Sequence, residues 1–177
     1  LQRLLCRHCE CVVAVYLANV LNLDMGMFYK RRDYTRVVNG RNPIVAHEFL
    51  GSSVEGKDMI IIDDMISSGE SVLEVAAALK KRKANKIFVF ATFGLFTSGL
   101  DKFDKAYENG IIDKVLTTNL IYQAPELLQR DWYINCDLSK YIAYIIDTLN
   151  HDSSISDLLN PNERIQSIVS RYKKGEL

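Results

Sequence analysis

The chain has 177 residues, with 22 Lys+Arg against 22 Asp+Glu, so the broad basic field of a nucleic-acid or anionic-membrane binder is missing. Its 48% hydrophobic and 25% charged residues exclude a disordered chain, and its length suits one domain over residues 1–177. No apolar run approaches the roughly 18 residues of a membrane-spanning helix. No apolar leader with a small-residue cleavage site is visible, so a cytoplasmic protein with neither membrane nor nucleic-acid partners is expected.

In chain order, Leu4, Leu5, Val12, Val15, Leu17 and Val20 recur at helical spacing, which predicts a helix over residues 4–21 stopped by Asn22. Cys6, Cys9, Cys11 and His8 crowd into the same stretch. No second Cys/His pair completes a zinc set, so free thiols are expected and no metal ligands are assigned. Residues 25–29 predict a buried strand that runs into a charged loop, Lys30-Arg31-Arg32-Asp33, and on through Asn39, Gly40, Asn42 and Pro43. Residues 44–50 predict another strand.

Met59, Ile60, Ile61 and Ile62 form a continuous apolar run, the pattern of a strand covered on both faces in a parallel sheet. Residues 63–69 then read as a loop. A helix follows from Ser71, with Val72, Leu73, Val75, Ala76 and Leu79 on one face and the cations of Lys80, Lys81, Arg82 and Lys83 at its carboxyl end. Residues 87–93 predict the next buried strand, closing a βαβ unit. Beyond it the pattern predicts a helix over 100–109, a strand over 115–118, a short strand over 132–136, a helix over 140–149 and a terminal helix opened by Pro161. The sum is an α/β fold, a mainly parallel sheet flanked by helices.

The segment Asp63-Asp64-Met65-Ile66-Ser67-Ser68-Gly69-Glu70-Ser71 joins the carboxyl end of a buried strand to the amino end of a helix, where open α/β sheets bind ligands. Amides at a helix start favour phosphate, Gly69 permits a close backbone approach, and Ser67, Ser68 and Ser71 add hydroxyls. Two adjacent carboxylates suit vicinal hydroxyls or a divalent cation. Together they describe a sugar phosphate. Helix capping alone needs one such residue and leaves the acidic pair, three serines and a glycine unexplained.

The same run resembles the phosphoribosyl-diphosphate loop of type I phosphoribosyltransferases. Within that superfamily, Phe28-Tyr29-Lys30-Arg31-Arg32-Asp33 resembles the lysine-x-arginine start of the flexible loop of ribose-phosphate pyrophosphokinases. The likeness runs over about residues 12–172, to the carboxyl-terminal half of that enzyme and to a divergent bacterial subset with the same wording at Gly26-Met27-Phe28-Tyr29 and Asn42-Pro43-Ile44-Val45. It implies that Asp63 and Asp64 hold the ribose hydroxyls, that Ser67, Ser68, Gly69, Glu70 and Ser71 cradle the 5-phosphate, and that Lys30 and Arg32 close over the transferred group as catalytic residues. It implies ribose 5-phosphate and ATP as substrates, Mg2+ with the ATP, and a homo-oligomer.

The family's Pro-Asp-x-Gly loop has no counterpart in residues 1–11, which hold no Asp, Gly or Pro, so the ribose-phosphate-binding half of the enzyme is what the likeness covers. Ser67 stands where an acid is common. Glu70 replaces a small residue and is expected to add negative charge beside the phosphate. Two other readings stay open: a phosphoribosyltransferase that consumes phosphoribosyl diphosphate, and a non-catalytic regulatory homologue. Trp132 and Tyr133 are expected in the core, His8, His47 and His151 as structural or surface groups, and Thr117-Thr118-Asn119 as a strand end that resembles a family element or simply turns the chain.

Overall fold

The computed structural model describes residues 3–7, 11–32 and 44–176, with the side chains of 12–28, 49–156 and 158–176. The strands are β1 (Arg3–Arg7), β2 (Asp24–Arg32), β3 (Ile44–Leu50), β4 (Met59–Ile66), β5 (Ile87–Gly94), β6 (Lys114–Thr118) and β7 (Tyr133–Cys136). The helices are α1 (Cys11–Leu21), α2 (Glu70–Lys81), α3 (Asp101–Glu108), α4 (Pro125–Leu128), α5 (Ser139–Asn150), α6 (Ser156–Leu159) and α7 (Asn162–Lys173). One sheet takes the order β3-β2-β1-β4-β5-β6-β7, parallel throughout except for the antiparallel β2–β3 pair.

Three sequence expectations are corrected, the first being that Lys30, Arg31 and Arg32, read as the start of a charged loop, continue β2 to its end, paired with β3. Residues 3–7 are a strand, and the predicted helix begins only at Cys11. β1 is an inner strand between β2 and β4, and inner parallel strands carry apolar residues on both faces, so Leu4 and Leu5 have no period that separates strand from helix. Likewise β4 does not stop at Ile62 but pairs onward with β5, Asp63 with Ala91, Met65 with Phe93 and Ile66 with Gly94. Sheet pairing there overrides the local preference of two aspartates for a turn.

Each face of the sheet has its own core. On one, Ile61, Val89, Ala91 and Val115 meet Val72, Val75, Ala76 and Leu79 of α2 and Phe103 of α3. Fully burying a side chain of that size stabilises by about 1.5–3 kcal/mol, so the α2 stripe alone fixes the helix on the sheet. On the other, Ile62 meets Ala14 and Ala18 of α1, with Leu17, Leu21, Leu23 and Ile60 around them. Beside α1 the sheet leaves an apolar groove of about 380 Å³ lined by Leu17, Leu21, Ile60, Ile62, Phe88, Phe90 and Leu116. The outer helix α7 is tied to α1 by Tyr16 OH donating to Asn162 Oδ1 at 2.5 Å and Gln166 Nε2 to the Val20 carbonyl at 3.0 Å. As expected, Trp132 and Tyr133 lie inside, 1% and 8% exposed. No described helix is long and apolar enough to cross a membrane.

Candidate functional site

The strand order reverses direction between β1 and β4, and ligands of open α/β sheets bind beyond the carboxyl ends of strands at such a switch point. The strand-to-helix segment that leaves β4 there is the one singled out by its residues. Alternation along β4 turns its two carboxylates to opposite faces. Asp63 is 5% exposed and its Oδ1 accepts the amide of Asp64 at 3.1 Å, whereas Asp64 is exposed. The buried acid thus fixes the backbone from which the exposed one projects.

Beyond Ile66 the chain turns at Gly69, whose φ of 79° lies in the left-handed region. A Cβ at this position would stand 2.3 Å from Cε2 and 2.5 Å from Cζ of Phe103, so both conformation and packing demand glycine. Helix α2 starts immediately, its first intrahelical bond running from Leu73 N to the Gly69 carbonyl at 3.0 Å. Ser71 and Val72 then have no carbonyl inside the helix four residues back for their amides. No side chain caps α2, so Ser67, Ser68 and Ser71 are not used as N-caps. A small cleft of about 80 Å³ opens over this turn, lined by Asp63, Met65, Ile66, Ser67, Ser68, Gly69, Ser71 and Val72. Amides at the positive end of the α2 dipole, together with serine hydroxyls, suit it to a phosphate.

The charge expected from Glu70 is offset: Lys102 Nζ donates to Glu70 Oε1 at 2.6 Å, across the start of α3. Glu70 and Asp64 lie outside the lining of the cleft. The β5–α3 connection runs beside this turn, outside the lining of the cleft. Leu95 N donates to the Ile66 carbonyl at 2.8 Å and Thr97 N to the Ser67 carbonyl at 3.0 Å, and the hydroxyls of Ser67 and Thr97 stand 3.4 Å apart.

Lys30 and Arg32 belong to the backbone of β2, opposite His47 and Ile44 of β3, with an irregularity between Arg31 and Arg32. Their side chains, residues 33–43, His8, Cys9 and the side chains of Cys6, Cys11 and His47 lie outside the described residues. The register still places the two cations. Cys6 of β1 is level with both Met27 and Ile62, so Lys30 lies about two residues, or roughly 7 Å, beyond the level of Asp63 and two strands, roughly 10 Å, to the side. The backbones of Lys30, Arg32 and the Asp63–Ser71 segment therefore share the carboxyl rim of the sheet. Among the described residues no group of three His, Cys, Asp or Glu could hold a metal ion. His151 is exposed, and Cys136 is a free thiol whose pKa burial pushes up.

The ends of β6 and β7 carry a polar network that is satisfied internally. Thr117 Oγ1 and Tyr133 OH are 2.7 Å apart, Gln123 Nε2 donates to Tyr133 OH at 2.6 Å, and Thr118 Oγ1 donates to the Thr92 carbonyl at 2.6 Å. Burial pushes the Tyr133 pKa up, against the hydrogen bond to Thr117. Asn119 Nδ2 donates to Asp137 Oδ1 at 2.7 Å, and hydrogen bonds from Ser139 and Asn119 hold the Asp137 carboxyl below its usual range. This network joins β5, β6 and β7 at the Thr117-Thr118-Asn119 strand end.

Fold and site together define an α/β domain with a sheet parallel but for one edge pair and a serine-lined strand-to-helix turn at its switch point. The model of the phosphoribosyl synthetase-associated domain family matches residues 39–160, and the chain belongs to that family. It is 31% identical over 139 residues to a ribose-phosphate pyrophosphokinase of Vibrio cholerae, covering 78% of this chain and 41% of that protein. It is 34% identical over 108 residues to the Mycoplasma genitalium protein of the same name, covering 60% and 30%. The chain thus spans about two-fifths of the length of the first of these relatives. In fold it matches the phosphoribosylpyrophosphate synthetase of Mycobacterium smegmatis, with TM-score 0.68 at 20% identity, over 86% of this chain and 46% of that one.

Proposed function

We propose that the chain is the ribose-phosphate-binding half of a ribose-phosphate pyrophosphokinase, which transfers the pyrophosphoryl group of Mg-ATP to the 1-hydroxyl of ribose 5-phosphate, releasing AMP and phosphoribosyl diphosphate. The observation that carries this reading is the uncapped start of α2 behind Gly69, lined by serines and flanked by the Asp63–Asp64 pair, in a chain whose relatives bear that name. In it, Ser67, Ser68, Gly69 and Ser71 take the 5-phosphate, with Glu70 held aside by Lys102. Asp64 accepts hydrogen bonds from the ribose diol, on a backbone fixed by Asp63. Lys30 and Arg32 stabilise charge on the transferred phosphates and help to exclude water. Magnesium enters with the nucleotide, where it would neutralise polyphosphate charge.

A cytoplasmic homo-oligomer is part of the same proposal. The test is release of AMP from Mg-ATP by the full-length protein that depends on ribose 5-phosphate. Conversion of phosphoribosyl diphosphate and a nucleobase to a nucleotide, without that AMP release, would instead support the phosphoribosyltransferase reading. Ribose 5-phosphate binding by the full-length protein without either turnover would favour the regulatory homologue.

A further inference from the structure

We infer that Thr97, 26 residues beyond the end of the Asp63–Ser71 segment, is a further phosphate-binding residue of this site, held in place by the buried ring of Phe96. The inference rests on the ribose 5-phosphate reading given above and adds a ligand from a different connection. Thr97 lies beside the cleft, outside its lining, and is exposed; its amide is bonded to the Ser67 carbonyl at 3.0 Å, and its hydroxyl stands 3.4 Å from that of Ser67, which does line the cleft. That spacing is long for a hydroxyl pair, whose usual separation is about 2.5–3.0 Å. Two hydroxyls so placed can both turn to one anionic oxygen between them, a stronger use of each, since hydrogen bonds to charged groups exceed neutral ones.

The position of Thr97 is overdetermined. Phe96 has φ 46°, a conformation that a bulky side chain adopts at a cost, and such strain persists where surrounding contacts compensate it. Here the ring is 9% exposed and packs edge-on to Phe103 at 5.1 Å, near Trp132 at 6.0 Å and edge-on to Tyr133 at 6.3 Å. Phe103 is the same ring that closes on Gly69. One aromatic cluster therefore sets the phosphate turn and the backbone that carries Thr97 against each other.

The test is calorimetric titration of the chain and of its Thr97→Val and Thr97→Ser variants with ribose 5-phosphate, and with inorganic phosphate as a second probe. Thr97→Val should weaken both ligands by the same factor, about tenfold for one lost hydrogen bond to a charged group. Thr97→Ser should stay within about twofold of the parent, because the hydroxyl is kept. Unchanged binding by Thr97→Val, or equal losses in both variants, overturns the role of the hydroxyl while leaving the sugar-phosphate reading intact. If the parent chain binds neither ligand, that reading itself fails and this inference with it.

Discussion

Replacing Gly69 by alanine puts the phosphate turn under a load that can be worked out. The backbone sits at φ 79°, where an L-residue costs about 1–2 kcal/mol. The new methyl would also lie 2.3 Å from a ring carbon of Phe103, which is 0% exposed and cannot swing into solvent, so overpacking adds about 1–3 kcal/mol. The sum, about 2–5 kcal/mol, is a large share of the about 5–15 kcal/mol that holds a domain folded. For a chain of this size it lowers the melting temperature by roughly 2–4 °C per kcal/mol. Urea unfolding followed by tryptophan fluorescence is suited to the measurement: Trp132 is the single tryptophan, buried and stacked on Phe103 at 5.4 Å. In a Phe103→Leu background the clash is relieved, and Gly69→Ala should then cost only the backbone portion, about 1–2 kcal/mol. A full cost in both backgrounds, or a loss below about 1 kcal/mol in the parent, would refute the joint demand of conformation and ring.

Further outcomes follow from other contacts. Trp132 Nε1 donates to Asp104 Oδ1 at 2.7 Å and Arg130 Nε stands 3.0 Å from the same oxygen. Asp104→Ala should therefore destabilise by about 1–3 kcal/mol in urea, the cost of stranding a buried donor, and a neutral result would count against that bond. The Tyr133 pKa is raised above 10.0 by burial and that of Cys136 above 9.0, so the stability each contributes is present below those values and lost as pH rises through the higher folded-state values. Urea midpoints should fall between roughly pH 8 and 11, with a shallower fall in Tyr133→Phe; parallel slopes would remove Tyr133 as a cause. In the full-length protein Lys30→Ala should lower the rate of AMP release while leaving ribose 5-phosphate affinity unchanged, and equal turnover would withdraw its role in charge stabilisation.

Much of the scaffold is legible in the residues because its signals are local. The apolar run at Met59, the stripe of Val72, Val75, Ala76 and Leu79, and the acidic pair beside three serines each declare themselves within one element. Where reading failed, the deciding contact was distant. β1 is a strand because β2 and β4 flank it, and β4 runs to Ile66 because β5 continues beside it. The four-residue helices α4 and α6 are too short to leave a period. At the site, the residues disclose the turn but not its supports. Lys102 beside Glu70, Phe103 behind Gly69 and Thr97 beside Ser67 all come from the β5–α3 side, about thirty residues away in sequence, and no local pattern links them.

The most direct measurement is calorimetric titration of the chain with ribose 5-phosphate, compared with unphosphorylated ribose and repeated on the Asp63→Asn/Asp64→Asn double variant. Saturable binding of ribose 5-phosphate, much weaker binding of ribose and a loss of about tenfold or more in the double variant is the result predicted, since phosphate turn and carboxylates each supply charge-assisted hydrogen bonds. Ribose and ribose 5-phosphate binding alike, or affinity unaltered by the double change, would contradict a sugar-phosphate site at this switch point.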